Sequence, residues 1–203
     1  MIESNTSPAQ LDNPRSLIGQ GRGRTLCLPE GISAIRIAGI EEESIVDGPG
    51  IRLVVFTQGC SHKCKGCHNP KTHNYAGGYD MDIDDIISMV KSNPLLDGIT
   101  ISGGEPFEQA LYASQLAKKV KALGLNVITY TGYTFEEIVS NLTNNDGYRE
   151  LLLETDILID GKFEITQRDL TFPFRGSSNQ RIIDVKNSII SKEIILYRGE
   201  NYV

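Results

Sequence analysis

No stretch of the 203-residue sequence is long and apolar enough to cross a bilayer. The longest apolar runs, such as Ile51–Phe56 and Ile194–Tyr197, are strand-sized. The N-terminus lacks a basic region followed by an apolar run, so no secretory signal is read there. Basic residues are not in excess either: 20 Lys and Arg stand against 26 Asp and Glu, a formal charge of −6. With no basic run, neither a nucleic-acid face nor a membrane face is expected, and the setting is read as cytoplasmic. No carboxylate pair and no Ser/His/Asp arrangement stands out, so no side chain is assigned as a catalytic acid, base or nucleophile. Cysteine is scarce, at four residues. Three lie within eight residues and Cys27 stands alone upstream, a placement that argues for metal binding or catalysis over disulfides in a cytosolic chain.

What is present is enough for one domain, which at this length buries roughly 70% of the surface its unfolded chain exposes. Residues 1–33 are polar, rich in Gly, Pro, Ser and Asn, and without period; they read as a flexible extension ahead of a domain over 34–203. Ile51–Thr57 is a β-branched apolar run and predicts a buried strand. Ile83, Ile86, Ile87 and Val90 fall on one helical face, predicting a helix over about 82–91. Strands are predicted at 99–101, 126–130 and 157–159. Between them lie a helix opening at Pro106 with Phe107, Ala110, Ala113, Ala117 and Val120 inside, and another opened by a Thr134/Glu137 capping box. Two later strands are expected at Arg181–Val185 and Glu193–Tyr197. Alternating strands and helices predict an α/β fold: a mainly parallel sheet of βα units, open or partly closed as a partial TIM-like barrel. Ligands then gather at the C-terminal strand ends, where the cysteine loop, Ser102–Pro106 and Tyr130–Tyr133 all fall.

Cys60-x3-Cys64-x2-Cys67, on a loop just after a buried strand, is the strongest chemical signal. Iron–sulfur clusters usually take four cysteines; three leave one iron open to a ligand. A zinc-stabilised, non-enzymatic binding module is the alternative, with His62, His68 or His73 as a fourth ligand, although zinc sites favour separated C-x2–4-C pairs. Gly103-Gly104-Glu105 before a helix reads either as a tight turn or as a place where backbone approaches a ligand closely.

The C-x3-C-x2-C triplet closing one strand, with Gly103-Gly104-Glu105-Pro106 after the next, resembles the radical S-adenosylmethionine superfamily. The resemblance implies one [4Fe–4S] cluster per chain on Cys60, Cys64 and Cys67, with S-adenosylmethionine chelating the open iron. It assigns Gly103, Gly104 and Glu105 to the methionyl amino group, and Gly66, Cys67 and His68 to the adenine side. Lys162 is a candidate for the methionyl carboxylate or a solvated lysine. Ser44–Arg52, Cys67–Pro70, Tyr130–Tyr133, Asp160–Phe163 and above all Phe174–Arg181 resemble the glycyl-radical activases, specifically those of anaerobic ribonucleoside-triphosphate reductase. That implies a 5′-deoxyadenosyl radical that takes a hydrogen atom from one glycine of the large reductase subunit, and a low-potential electron donor such as flavodoxin. Asp47–Arg52 is a candidate contact with the glycine loop. An activase of the formate-lyase type and a radical enzyme acting on a small molecule are the rivals. No insert with further cysteines predicts an auxiliary cluster.

Overall fold

The computed structural model describes residues 33–169 and 171–199. The expected extension over 1–33, Cys27 included, lies outside them apart from Ser33. The strands are β1 (Ala34–Ser44), β2 (Arg52–Thr57), β3 (Tyr79–Asp82), β4 (Gly98–Gly103), β5 (Asn126–Tyr130), β6 (Ile157–Asp160) and β7 (Arg181–Asp184). The helices are α1 (Ile83–Ser92), α2 (Ala110–Lys121), α3 (Phe135–Ser140), α4 (Tyr148–Glu154) and α5 (Val185–Ser191). One seven-stranded sheet runs β3-β1-β2-β4-β5-β6-β7. Its centre, β2-β4-β5-β6, is parallel; β1, β3 and β7 add antiparallel flanks. The expected parallel α/β core is present, and the antiparallel flanks are an addition to it.

Strands at the centre are written in residues that tolerate burial on both faces, and β2, β4 and β6 are almost wholly buried. Leu53, Val55, Ile99, Ile101, Val127 and Leu158 face the helices and join Ile86, Val90, Leu116, Ala117, Val120 and Leu151 in one core. Each large aliphatic chain hidden there contributes about 1.5–3 kcal/mol. The alternate residues Ile128, Ile157 and Ile159 belong to a smaller cluster on the opposite face. Helix α1 starts at Asp82, whose carboxylate accepts from Asp84 N–H. Before α2, Pro106–Gln109 forms a 3-10 turn, so the helix expected from Pro106 becomes regular only at Ala110. The Thr134/Glu137 capping box opens α3.

Four elements have no counterpart in the sequence reading. Strand β1 carries two register shifts against β2 and ends in acidic residues that mask its alternation. Strand β3 is a four-residue edge with two aspartates, a composition that discourages further pairing. Helices α4 and α5 have seven residues each, too few to show a period. The strand expected at Arg181–Val185 stops at Asp184, because the Asp184 carboxylate caps α5 through Asn187 N–H. Glu193–Tyr197 is not a strand; a single Ile183–Leu196 bridge represents it.

Candidate metal and cofactor centre

The parallel strands end together, and their following loops enclose a cavity of about 820 Å³, within the range of small-ligand sites. Its wall includes Cys60, Cys64, Cys67 and His68 from the loop after β2, and Ser102, Gly103 and Gly104 from the end of β4. Tyr130, Thr131 and Gly132 come from β5 and its loop, Gly161 and Phe163 from the loop after β6. Among the predicted site residues the structure thus brings together the three cysteines, His68, Gly103 and Gly104. Glu105 and Gly66 lie outside the wall.

The cysteine loop is built before any ligand is considered. Gly59 N–H donates to Thr72 O at 2.8 Å and Cys67 N–H to Cys64 O at 3.1 Å. Gln58 Nε2 donates to Lys71 O at 3.1 Å, tying the far end of the loop to the strand. All three thiols are free; Cys60 is buried, Cys64 and Cys67 half-buried. Burial pushes Cys60 up to about 11 and raises Cys64 as well. Asn69 N–H reaches Cys67 Sγ at 3.3 Å, the kind of bond that tunes a cluster sulfur. Gly66, at φ +77°, backs onto Ile165: a Cβ there would sit 2.7 Å from Ile165 Cδ1.

The two glycines are required by close approach. Gly103 has φ +96°, and a Cβ on it would lie 2.6 Å from Phe56 Cα. A Cβ on Gly104 would lie 2.2 Å from Gly59 O. Backbone of the β4 loop therefore runs against the root of the cysteine loop, joined by Gly104 N–H to Thr57 O and Glu105 N–H to Gly59 O, both 2.8 Å.

Glu105 points inward. It is wholly buried, and its carboxylate accepts from Phe107 N–H at 3.0 Å, Thr131 Oγ1 at 2.8 Å and Gly132 N–H at 2.8 Å. His62 Nε2 lies 2.9 Å from its other side. With four partners from three loops, this carboxylate ties together His62, Thr131 and Gly132, all of which line the cavity. The His62 ring also packs edge-on against Tyr133, with centroids 4.5 Å apart.

Asp47 and Arg52 meet through Thr100 Oγ1. Asp47 lines the cavity, its backbone oxygen held by Thr100 Oγ1 at 2.8 Å. Arg52 begins β2, at the strand end opposite the cysteine loop, and is wholly buried. Its guanidinium donates to Thr100 Oγ1 at 2.7 Å, to Pro49 O at 3.1 Å and to Ile99 O. Desolvation pulls its pKa down to about 10.

Lys162 is exposed and outside the wall. Arg175 is the sole Lys or Arg among the described lining residues. Its guanidinium carbon stacks 4.3 Å over the Phe172 ring, and Nη1 donates to Gln180 O at 2.9 Å. Arg175 Nε and His73 Nε2 are buried with no hydrogen-bond partner among the described residues. Phe174–Arg181 stands out in the sequence as a motif that gives Arg175 no role of its own; its being the one Lys or Arg among the described wall residues is a fact of packing.

Thiols from one loop, gathered where parallel strands end, define an iron–sulfur protein of the single-cluster class. Residues 46–183 match the family described as 4Fe-4S single cluster domain. The anaerobic ribonucleoside-triphosphate reductase-activating protein of Vibrio cholerae is 36% identical over 146 residues, covering 68% of this chain and 90% of that protein. The protein of the same name from Pasteurella multocida is 34% identical with the same coverage. A pyruvate formate-lyase-activating enzyme of Clostridium pasteurianum is 36% identical over 130 residues, 61% of this chain and 50% of its own length. The chain belongs to the family of the anaerobic ribonucleoside-triphosphate reductase-activating proteins.

The residues present fit a cubane cluster. Three unpaired thiols share one cavity wall.

Proposed function

We propose that the chain is a radical S-adenosylmethionine enzyme that generates a glycyl radical on anaerobic ribonucleoside-triphosphate reductase. The observation that carries this reading is the meeting of Cys60, Cys64 and Cys67 with Gly103 and Gly104 in one cavity at the ends of parallel strands. When bound, a reduced [4Fe–4S] cluster supplies the electron that splits S-adenosylmethionine into methionine and the 5′-deoxyadenosyl radical, which abstracts hydrogen from the partner's glycine.

In this reading the three cysteines hold three corners of the cluster. Backbone at Gly103 and Gly104 receives the methionyl amino group, and His68, 4.9 Å from the Phe163 ring, borders the adenine. Arg175 replaces Lys162 as the partner of the methionyl carboxylate, because it is the cation in the wall and carries spare N–H donors. Glu105 positions these loops without touching the cofactor. The parallel core of the sheet is read as part of a partial, open TIM-like barrel. Asp47, beside exposed Ile45 and Val46, meets the glycine loop of the large reductase subunit where it enters the cavity. Flavodoxin or a similar low-potential carrier is the electron donor. A cytoplasmic setting, without nucleic acid or membrane as partner, completes the reading; the acidic balance supports it, and no helix among the described residues is long and apolar enough to cross a membrane.

The test mixes the anaerobically reconstituted protein, a reductant and S-adenosylmethionine with the reductase and looks for a glycyl doublet by electron paramagnetic resonance. A doublet that needs all four components is expected. A doublet on formate lyase and none on the reductase would move the chain to the activity named for its Clostridium relative.

A further inference from the structure

The cysteine loop also carries exposed residues that do not line the cavity. The outer surface has an unusual charge. Residues 58–78 contain Lys63, Lys65 and Lys71 and neither Asp nor Glu, in a chain with a net charge of −6. All three lysines are exposed, and none belongs to an ion pair among the described residues. Lys162 is also exposed, on the segment that carries Phe163 and Ile165. The contact of Gly66 with Ile165 and Phe163 holds the two segments side by side. The carboxylates at hand are Glu108, engaged by Ser61 and Tyr75, and Glu164. Tyr75, 54% exposed, and Ile165, 44% exposed, offer apolar surface on the same two segments.

We propose that this lysine-ringed outer surface of the cysteine loop is the docking site for a one-electron donor protein with an acidic face. The inference rests on the radical-enzyme reading above. Electron transfer weakens steeply with distance, so a donor must come close to the cysteines. The cavity side is reserved for S-adenosylmethionine and the glycine loop, which leaves the outer side. Complementary charge raises association rates by about 10–10³ and makes them fall with ionic strength, and an apolar contact ringed by charge is the usual anatomy of an interface. In the transfer, a flavin hydroquinone on the donor loses one electron and becomes the semiquinone; the cluster gains that electron, and no bond forms between the proteins.

The test uses the reconstituted protein, reduced flavodoxin and anaerobic stopped-flow absorbance, from 20 to 500 mM salt. The parent rate should fall at least tenfold across that range. The triple variant Lys63→Glu, Lys65→Glu, Lys71→Glu should be at least tenfold slower at low salt and nearly flat in salt, with the neutral Gln triple between. Reduction by photoreduced deazaflavin, small and uncharged, should stay within twofold in every variant. Calorimetric binding of oxidised flavodoxin at 20 mM salt should weaken in the same order. If the Glu triple loses iron, Lys71→Glu, outside the cysteine triplet, stands in for it with a smaller expected loss of about threefold. A parent rate indifferent to salt, or variants as fast as the parent, overturns the docking site and leaves the activase reading standing. Failure of the parent to cleave S-adenosylmethionine even with deazaflavin overturns both.

Discussion

The two faces of the sheet are cut from the same strands, one residue apart, and they do opposite work. Leu53, Val55, Ile99, Ile101, Val127 and Leu158 turn to the helices and are 1% exposed or less. Their neighbours Phe56, Ser102 and Tyr130 turn to the cavity. Side chains in a strand alternate by necessity, so the first face can be filled with methyl groups while the second carries hydroxyls, an aromatic rim and the cysteine loop. Residue parity thereby separates the larger core from the cavity, while Ile128, Ile157 and Ile159 form a smaller apolar cluster on the second face. A substitution on one face should move the melting temperature, and one on the other should move the chemistry.

The largest effect expected is on the chemistry. Cys64→Ser should bring iron content and the glycyl doublet to background while far-ultraviolet circular dichroism keeps its parent shape. Retained activity in that variant would erase the assignment of the ligands. Next comes Glu105, at the seam between the faces. Removing a buried carboxylate with four partners strands those partners, so Glu105→Ala should cost about 3–5 kcal/mol, and Glu105→Gln, which keeps the shape but turns an acceptor into a donor, about 1–3 kcal/mol. Thermal melts measure both. A Gln variant with parent stability but weakened S-adenosylmethionine binding would show that the carboxylate touches the cofactor after all.

On the helix face, Ile101→Ala should cost about 2–5 kcal/mol, roughly 5–15 °C in melting temperature for a domain of this size. Radical yield per bound iron, measured well below the melting point, should equal the parent's. Loss of iron binding without loss of stability would break the division by parity.

Much of this was legible in the sequence, and the part that was not has a common cause. Ile83, Ile86, Ile87 and Val90 announce α1 because ten residues are enough to show a period. The cysteine triplet and Gly103-Gly104 are legible because their chemistry depends on local spacing. Helices α4 and α5 and strand β3 borrow their stability from what they pack on, and a few residues carry no pattern of their own. Glu105 shows the same limit within the site: its motif is plain, but the direction of its carboxylate depends on Thr131, Gly132 and His62, which only the fold brings to it. Packing decides the places of Lys162 and Arg175 for that reason too. Each follows β6 in sequence, and only packing decides which of them reaches the cavity wall.

The smallest effect probes how far the site extends into its scaffold. Thr134 follows the Thr131–Gly132 turn by two residues and caps α3: its Oγ1 accepts from Glu137 N–H at 3.2 Å, and Glu137 Oε2 accepts from Thr134 N–H at 2.7 Å. The box is exposed, so Thr134→Ala should cost about 1 kcal/mol, seen as a fall of roughly 2–4 °C in melting temperature. Thr131 and Gly132 are held independently by Glu105, so iron content, S-adenosylmethionine binding and radical yield should not change. A drop in radical yield larger than the loss of stability explains would mean that the cap of α3 and the Glu105 hydrogen bonds act as one unit, and that the chemical face begins two residues later than the cavity wall suggests.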